Sequence, residues 1–166
     1  MRFSLIDRLT SLEAGKSATA VKNLSLAEEY LADHFPGFPV MPGVLMLEAM
    51  VQTGAWLLRY TDDFKYSTII LKQARALRFN NFVTPGKTLE VSVKIKSRND
   101  NECVLNAEGI VDGTSAVKAR LTLVQSNLVD KNPSLAECDE RTIQSMQGLF
   151  AQIWSPEPIG STASGS

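Results

Sequence analysis

The sequence predicts an α+β fold: one long apolar helix followed by an antiparallel meander of strands that wraps around it. Three observations carry this. From Phe35 to Leu58 there are 24 residues with a single charge, Glu48, and the stretch 44–58 is free of proline, as in a helix buried all round. Residues 89–96, Leu-Glu-Val-Ser-Val-Lys-Ile-Lys, alternate strictly between apolar and polar, the mark of a half-solvated antiparallel strand. Asp112-Gly113 separates two further strand-like stretches and is a strong tight-hairpin signal.

Each element can be justified in order. Residues 1–16 read as a short helical or irregular segment closed by Ala14-Gly15-Lys16. Residues 17–24 alternate well enough for a first strand, and 25–33 suit a short helix or turn. A proline-rich loop, His34 to Met41, then feeds the helix, expected over 42–60. Pro42 stands at its first position, where the missing amide costs nothing. Thr61-Asp62-Asp63 ends it. Beyond residue 66 the period becomes strand-like, with short strands over 68–71 and 74–79, a turn at 84–87, and strands over 89–96, 103–111 and 115–124. Residues 126–133 read as a linker. Ser134-Leu135-Ala136-Glu137 has the form of a capping box, opening an amphipathic helix over 134–154. Its apolar stripe, Leu135, Cys138, Met146, Leu149, Phe150, Ile153 and Trp154, should dock on the protein, because soluble proteins rarely expose so large an apolar patch. Residues 155–166, rich in Ser, Gly and Pro, predict a disordered tail. The domain plan is thus 1–125 as one unit, 126–154 as linker and helix, and 155–166 as tail.

Composition excludes several classes. A chain of 166 residues has the length of one ordinary domain. With 17 basic against 18 acidic residues, net charge −1, it has no nucleic-acid footprint. The 15-residue run 44–58 is shorter than the roughly 20 residues of a membrane span. Two cysteines, Cys103 and Cys138, without a CxxC and with a single histidine, exclude a zinc finger or a disulfide framework. The N-terminus meets Asp7 too early for a secretory signal, so a reducing cytoplasm is expected.

The chemistry gathers within 19 residues, His34 to Gln52. The only histidine, His34, opens the proline-rich loop. Glu48 lies inside the apolar helix, where an unpaired charge is costly, so it must be paired, neutral or functional. Gln52 follows at i+4, able to hold one carboxyl oxygen and orient the other. Gly43 brings an unpaired amide to the positive end of the helix dipole, and its bareness admits a close approach. A base, an acid and an oxyanion donor suit proton abstraction beside a carbonyl followed by loss of a β-substituent. Taken singly, each also has an ordinary reading: a solvated loop histidine, a glutamate facing a partner chain, a glycine in a turn.

The run His34-Phe35-Pro36-Gly37-x-Pro39-Val40-Met41-Pro42-Gly43-Val44-Leu45, with Glu48-Ala49-Met50-x-Gln52, resembles the signature of the β-hydroxyacyl-acyl-carrier-protein dehydratases of FabZ type. Leu5-Ile6-Asp7-Arg8, Lys22-Asn23, Arg78-Phe79, Val83-x-Pro85-Gly86-x-x-Leu89 and Val111-Asp112-Gly113 extend the likeness over about residues 3–125. The resemblance implies a hotdog fold, a long helix wrapped by a curved antiparallel sheet. It implies a homodimer or trimer of dimers with sites at the dimer interface, where the catalytic histidine (His34) and glutamate (Glu48) come from opposite subunits. Gly43 would hold the thioester carbonyl. It implies no metal or redox cofactor, and a substrate delivered on an acyl carrier protein's phosphopantetheine arm. The expected reaction converts (3R)-hydroxyacyl thioesters to trans-2-enoyl thioesters in type II fatty-acid biosynthesis. The sister family that isomerises the product to cis-3 carries aspartate where Glu48 stands.

Some positions depart from the pattern. Phe38 stands where the family usually has arginine, Asn80-Asn81-Phe82 where it often has a basic pair, and Leu31-Ala32-Asp33 where an aromatic and a glycine precede the histidine. Two alternatives accompany this reading. One is a hotdog acyl thioesterase, a class lacking the His-Phe-Pro-Gly loop. The other is a non-catalytic acyl- or carrier-binding hotdog protein, which would not require a carboxylate in an apolar helix.

Overall fold

The computed structural model describes residues 3–156. Its elements are β1 (Arg8–Glu13), β2 (Ser17–Asn23), α1 (Gly43–Thr61), β3 (Thr68–Phe79), β4 (Thr88–Arg98), β5 (Glu102–Val111), β6 (Thr114–Ser126) and α2 (Ala136–Ile153), with short 3₁₀ turns at Glu29–Leu31, Leu128–Asp130 and Pro133–Leu135. The six strands form one antiparallel sheet in the order β1-β2-β4-β5-β6-β3. This is the hotdog arrangement. Strands β1 and β3 are its edges.

The sheet's inner face follows from period-2 burial. Leu89, Val91 and Val93 of β4, Leu105 of β5, and Leu121 and Leu123 of β6 are buried and meet Ala49, Met50, Leu57 and Leu58 of α1. The outer face carries the intervening polar residues, as the alternation over 89–96 predicts. Asp112 and Gly113 take φ of 49° and 74° in the β5–β6 hairpin, the left-handed pair that a tight two-residue turn requires.

Several expectations need correction. Residues 8–13 are a strand, not a helical or irregular segment. The β1–β2 register shifts between Leu9 and Ser11, and such a bulge breaks the two-residue period, so Leu9 and Leu12 fall at a spacing that imitates a helix. The two short strands over 68–71 and 74–79 are one strand, β3, with irregularities at Leu71/Gln73 and Arg75/Arg78 and a left-handed Ala76 at φ 50°. Pro42 is the N-cap of α1, not its first helical residue. The helix is not buried all round, because Val44 at its first turn is 68% exposed. The capping box at 134–137 does not form. Instead the Asn132 side chain accepts from the Ser134 amide and hydroxyl, starting a 3₁₀ turn with Pro133 from which α2 continues.

The apolar stripe of α2 does dock. Ile153 is buried, and Ile143, Met146, Leu149, Phe150 and Trp154 pack against Ile6, Leu9, Trp56 and Phe64. Phe150 contacts the rings of Trp56, Tyr60 and Phe64 at centroid distances of 6.0, 5.8 and 5.4 Å. Cys138, assigned to the stripe, is exposed, and Asp139 is the buried residue of that turn. Its carboxylate accepts from the Ser67 hydroxyl and from the amides of Leu128 and Val129, both at 2.9 Å. The tail expected over 155–166 lies, from residue 157 onward, outside the described residues. Among the described residues no helix is long and apolar enough to cross a membrane.

Burial alone would push the Asp139 carboxyl up, but the three hydrogen bonds outweigh it and hold the group below its ordinary value. A depressed folded-state value means stability that is present above the ordinary carboxylate range and lost as pH falls through it. Asp139→Asn is therefore expected to lower the melting temperature near neutral pH, and the gap to wild type should close on acidification. Phe150→Ala should cost about 2 kcal/mol in chemical denaturation, below the range for a fully buried phenylalanine.

Candidate active site

The loop 34–40 closes on itself. The Val40 amide donates to the His34 carbonyl at 3.2 Å and the Phe38 amide to Phe35 at 3.0 Å, with Gly37 at φ 86° making the bend. The His34 ring Nδ1 lies 2.9 Å from the Val40 carbonyl oxygen. A carbonyl can only accept, so Nδ1 carries the proton and Nε2 is left as the basic nitrogen. The Met41 amide donates to Val83 at 2.9 Å, tying the loop to the chain that follows β3.

Gly43 begins α1, so its amide has no intrahelical acceptor. The Pro42 carbonyl already receives the amides of Leu45 and Met46 at 2.9 and 3.2 Å. A Cβ on Gly43 would stand 2.9 Å from Cε1 of Phe79, so only glycine fits beneath that ring as it lies. His34 and Gly43 line one largely apolar cavity of about 600 Å³ with Val40, Met46, Phe79 and Phe82. The family departures meet at its rim: Phe38 and Phe82 pack edge to face at 6.0 Å.

Glu48 and Gln52 are brought together elsewhere. Gln52 Nε2 donates to Glu48 Oε1 at 3.0 Å and to the Phe3 carbonyl at 3.1 Å, while its Oε1 accepts from the Leu5 amide at 2.9 Å. The carboxylate is thus held from one side by an amide that the N-terminal segment fixes. It is half-buried and lines a second cavity, of about 330 Å³, together with Val51, Ala55, Trp56 and Arg59. Within one chain, then, His34 and Gly43 share a cavity, Glu48 and Gln52 share another, and the two pairs do not meet. Helix geometry explains this, since five residues past Gly43 the side chain has turned about 140° around the axis.

Sequence reasoning missed Arg59. It follows Glu48 and Gln52 on the same stripe of α1, its guanidinium lies 5.2 Å from the Trp56 ring centre, and its buried Nε has no hydrogen-bond partner among the described residues. Burial pushes it down to about 10, still charged at neutral pH. The spacing 48, 52, 55, 59 was the available signal.

A family model described as the FabA-like domain matches residues 1–120. The chain belongs to the FabA-like family. Among relatives, it is 44% identical over 120 residues to the "3-hydroxyacyl-[acyl-carrier-protein] dehydratase FabZ" of Latilactobacillus sakei subsp. sakei (strain 23K), covering 72% of this chain and 86% of that one. It is 38% identical over 136 residues to the FabZ of Janthinobacterium sp. (strain Marseille), covering 80% and 87%. The fold is shared with a chain of the dehydratase heterocomplex ApeI:P from Xenorhabdus doucetiae, at a TM-score of 0.65 and 18% identity over 80% of this chain and 90% of that one. It is also shared with the E. coli PaaI protein, at a TM-score of 0.56 and 11% identity over 70% and 81%. The matched residues take in α1, β1 to β5 and the first half of β6, whereas α2 begins at Ala136, beyond them.

Gly43→Ala is expected to push the exposed Phe79 ring outward at little cost in stability, leaving the melting temperature almost unchanged. Crowding of the Gly43 amide should nevertheless lower kcat/KM by about tenfold or more, as for weakening one oxyanion donor. Thermal denaturation and steady-state kinetics on the same preparation check both halves.

Proposed function

We propose that this chain dehydrates (3R)-hydroxyacyl thioesters carried by acyl carrier protein to trans-2-enoyl thioesters, in type II fatty-acid biosynthesis. The observation that carries the reading is the pair formed by His34, its tautomer fixed by Val40, and the free Gly43 amide in one apolar cavity. The names of the FabZ relatives support the same substrate class. With the thioester oxygen at the Gly43 amide, negative charge developing on it meets a helix N-terminus. His34 Nε2 takes the C2 proton and the C2–H electron pair becomes the C2=C3 bond. The C3–O bond breaks as Glu48 gives its proton to the departing hydroxyl, which leaves as water. The proton gained by His34 returns to Glu48 between turnovers. Gln52 positions the carboxyl by holding one oxygen, leaving the other for the hydroxyl.

The catalytic unit proposed is a homodimer, alone or as a trimer of dimers, in which His34 and Gly43 of one subunit face Glu48 of the other. Two features support it: the separate cavities within one chain, and a first helical turn that leaves Val44 exposed beside Phe79 and Phe82. The edge strand β3, next to Phe79, supplies unpaired backbone groups for a second copy. Residues 1–125 form the proposed catalytic domain. A cytoplasmic setting suits the free thiols of Cys103 and Cys138. With glutamate rather than aspartate at position 48, no cis-3 isomer is expected among the products.

His34→Ala and Glu48→Gln should each cut turnover of a hydroxyacyl-carrier thioester by about 10²-fold or more, as expected for loss of a general acid or base, with far-UV circular dichroism unchanged. Unfolding and co-refolding the two inactive variants together should restore turnover, since each mixed dimer regains one complete site. Recovery of no activity from properly assembled mixed dimers would exclude the shared site. Free thiol release without enoyl product would point to a thioesterase instead.

A further inference from the structure

The cavity around Glu48 is walled by the stripe of α1 from Glu48 to Arg59, by Phe3 and Ser4 of the N-terminal segment, by Ile69 of β3, and by α2, which contributes Ser145, Met146 and Leu149. The FabA-like match ends at residue 120 and α2 starts at Ala136, so a segment outside the matched domain shapes the space beside the candidate acid. That space runs along α1. Arg59 stands eleven residues beyond Glu48, about 16 Å farther along the helix axis, and Trp56, two turns beyond Glu48, packs with Met146 and Leu149 of α2.

The α2 wall is fixed in place. Asp139 anchors its first turn through Ser67, Leu128 and Val129, and Phe150 anchors its last turns against Trp56, Tyr60 and Phe64. Between these anchors, Met146 and Leu149 present apolar side chains to the cavity while packing on Trp56 and its neighbours. Ser145, also on the cavity, is exposed and takes no part in that cluster.

We propose that α2 is the end wall of the acyl-chain site and that Met146 and Leu149 set the chain length the enzyme accepts. The inference rests on the dehydratase reading and extends it. A thioester whose C3 hydroxyl lies at Glu48 has its remaining carbons to place, and the apolar space contiguous with Glu48 is the groove between α1 and α2. Trimming the wall lengthens that groove, and filling it shortens the groove. One methylene more or less in such a pocket changes discrimination by roughly tenfold to two-hundredfold.

The test is an internal competition with the full chain. Short, medium and long (3R)-hydroxyacyl-carrier thioesters are mixed in one tube, and the enoyl products are followed by mass. The product ratios report relative kcat/KM and are independent of how much of a variant is folded. Met146→Ala and Leu149→Ala should raise the long-to-short ratio about tenfold, and Ser145→Trp should lower it by a similar factor without disturbing the apolar cluster. Ratios within about twofold of wild type in all three variants, with turnover present, would overturn the end-wall assignment while leaving the dehydratase reading intact. Absence of enoyl product from wild type at every length would overturn the dehydratase reading, and this inference with it.

Discussion

The closeness of α1 to the sheet governs where everything else sits, and Gly54 makes it possible. A Cβ at this position would stand 3.0 Å from Cδ1 of Leu123 and 3.2 Å from Cδ1 of Leu105, both leucines having no solvent exposure. A glycine in mid-helix costs about 1 kcal/mol relative to alanine, and here that loss is offset by the contact of Met50, Leu57 and Leu58 with the inner face of the sheet. With the helix seated this deeply, its N-terminus has little freedom. Pro42 and Gly43 are fixed at the mouth of the sheet, and Thr53, which bonds the Ala49 carbonyl at 2.8 Å, satisfies its hydroxyl without leaving the helix.

The same seating decides which faces of α1 remain for chemistry. The sheet takes the face of Met46, Ala49, Met50, Thr53 and Leu57. The stripe of Glu48, Gln52, Ala55 and Arg59 is left to one side, where the N-terminal segment and α2 close over it. The N-terminal segment thereby does two things at once. Leu5 and Ile6 are buried, and the backbone of residues 3–5 holds the Gln52 amide in the orientation that presents its Nε2 to Glu48.

Much of this was legible in the sequence because one physical signal dominated each region. The strands β4 and β5 alternate over most of their length, so β4, β5 and β6 and the hairpin at Asp112-Gly113 could be placed to within two residues, and the apolar run after Pro42 is the helix it predicts. Where two signals overlapped, the reading failed. The bulge in β1 converts a strand's period into something helix-like, and in β3 the polar pair Lys72-Gln73, at the register shift between Leu71 and Gln73, interrupts the apolar pattern of a continuous strand. The Ser134–Glu137 pattern imitates a capping box, but Asn132 and Pro133 upstream capture the turn first. The stripe of α2 was read one position off at its start, with Cys138 assigned inward, because the acceptor role of Asp139 is visible only once Ser67 and the 128–129 amides are brought to it. Gln52 at i+4 from Glu48 was legible from spacing alone. The same spacing continues to Arg59, but a charged residue in the last turn of a helix is ordinarily explained by the dipole, which hid its place on the stripe.

An apolar run reports that side chains leave water, not what covers them. Val44 belongs to the most apolar stretch of the chain, yet within one chain it is exposed, and Phe79 and Phe82, which line the same cavity, are 48% and 60% exposed. On the proposed reading this is the physical reason that assembly and chemistry are joined. The helix that carries the acid is too firmly packed to rotate, and its own N-terminus, which carries the oxyanion donor, is turned to another face. On that reading a base and an acid reach one substrate from two copies of the helix, and the apolar first turn with Phe79 and Phe82 is the surface proposed for their contact.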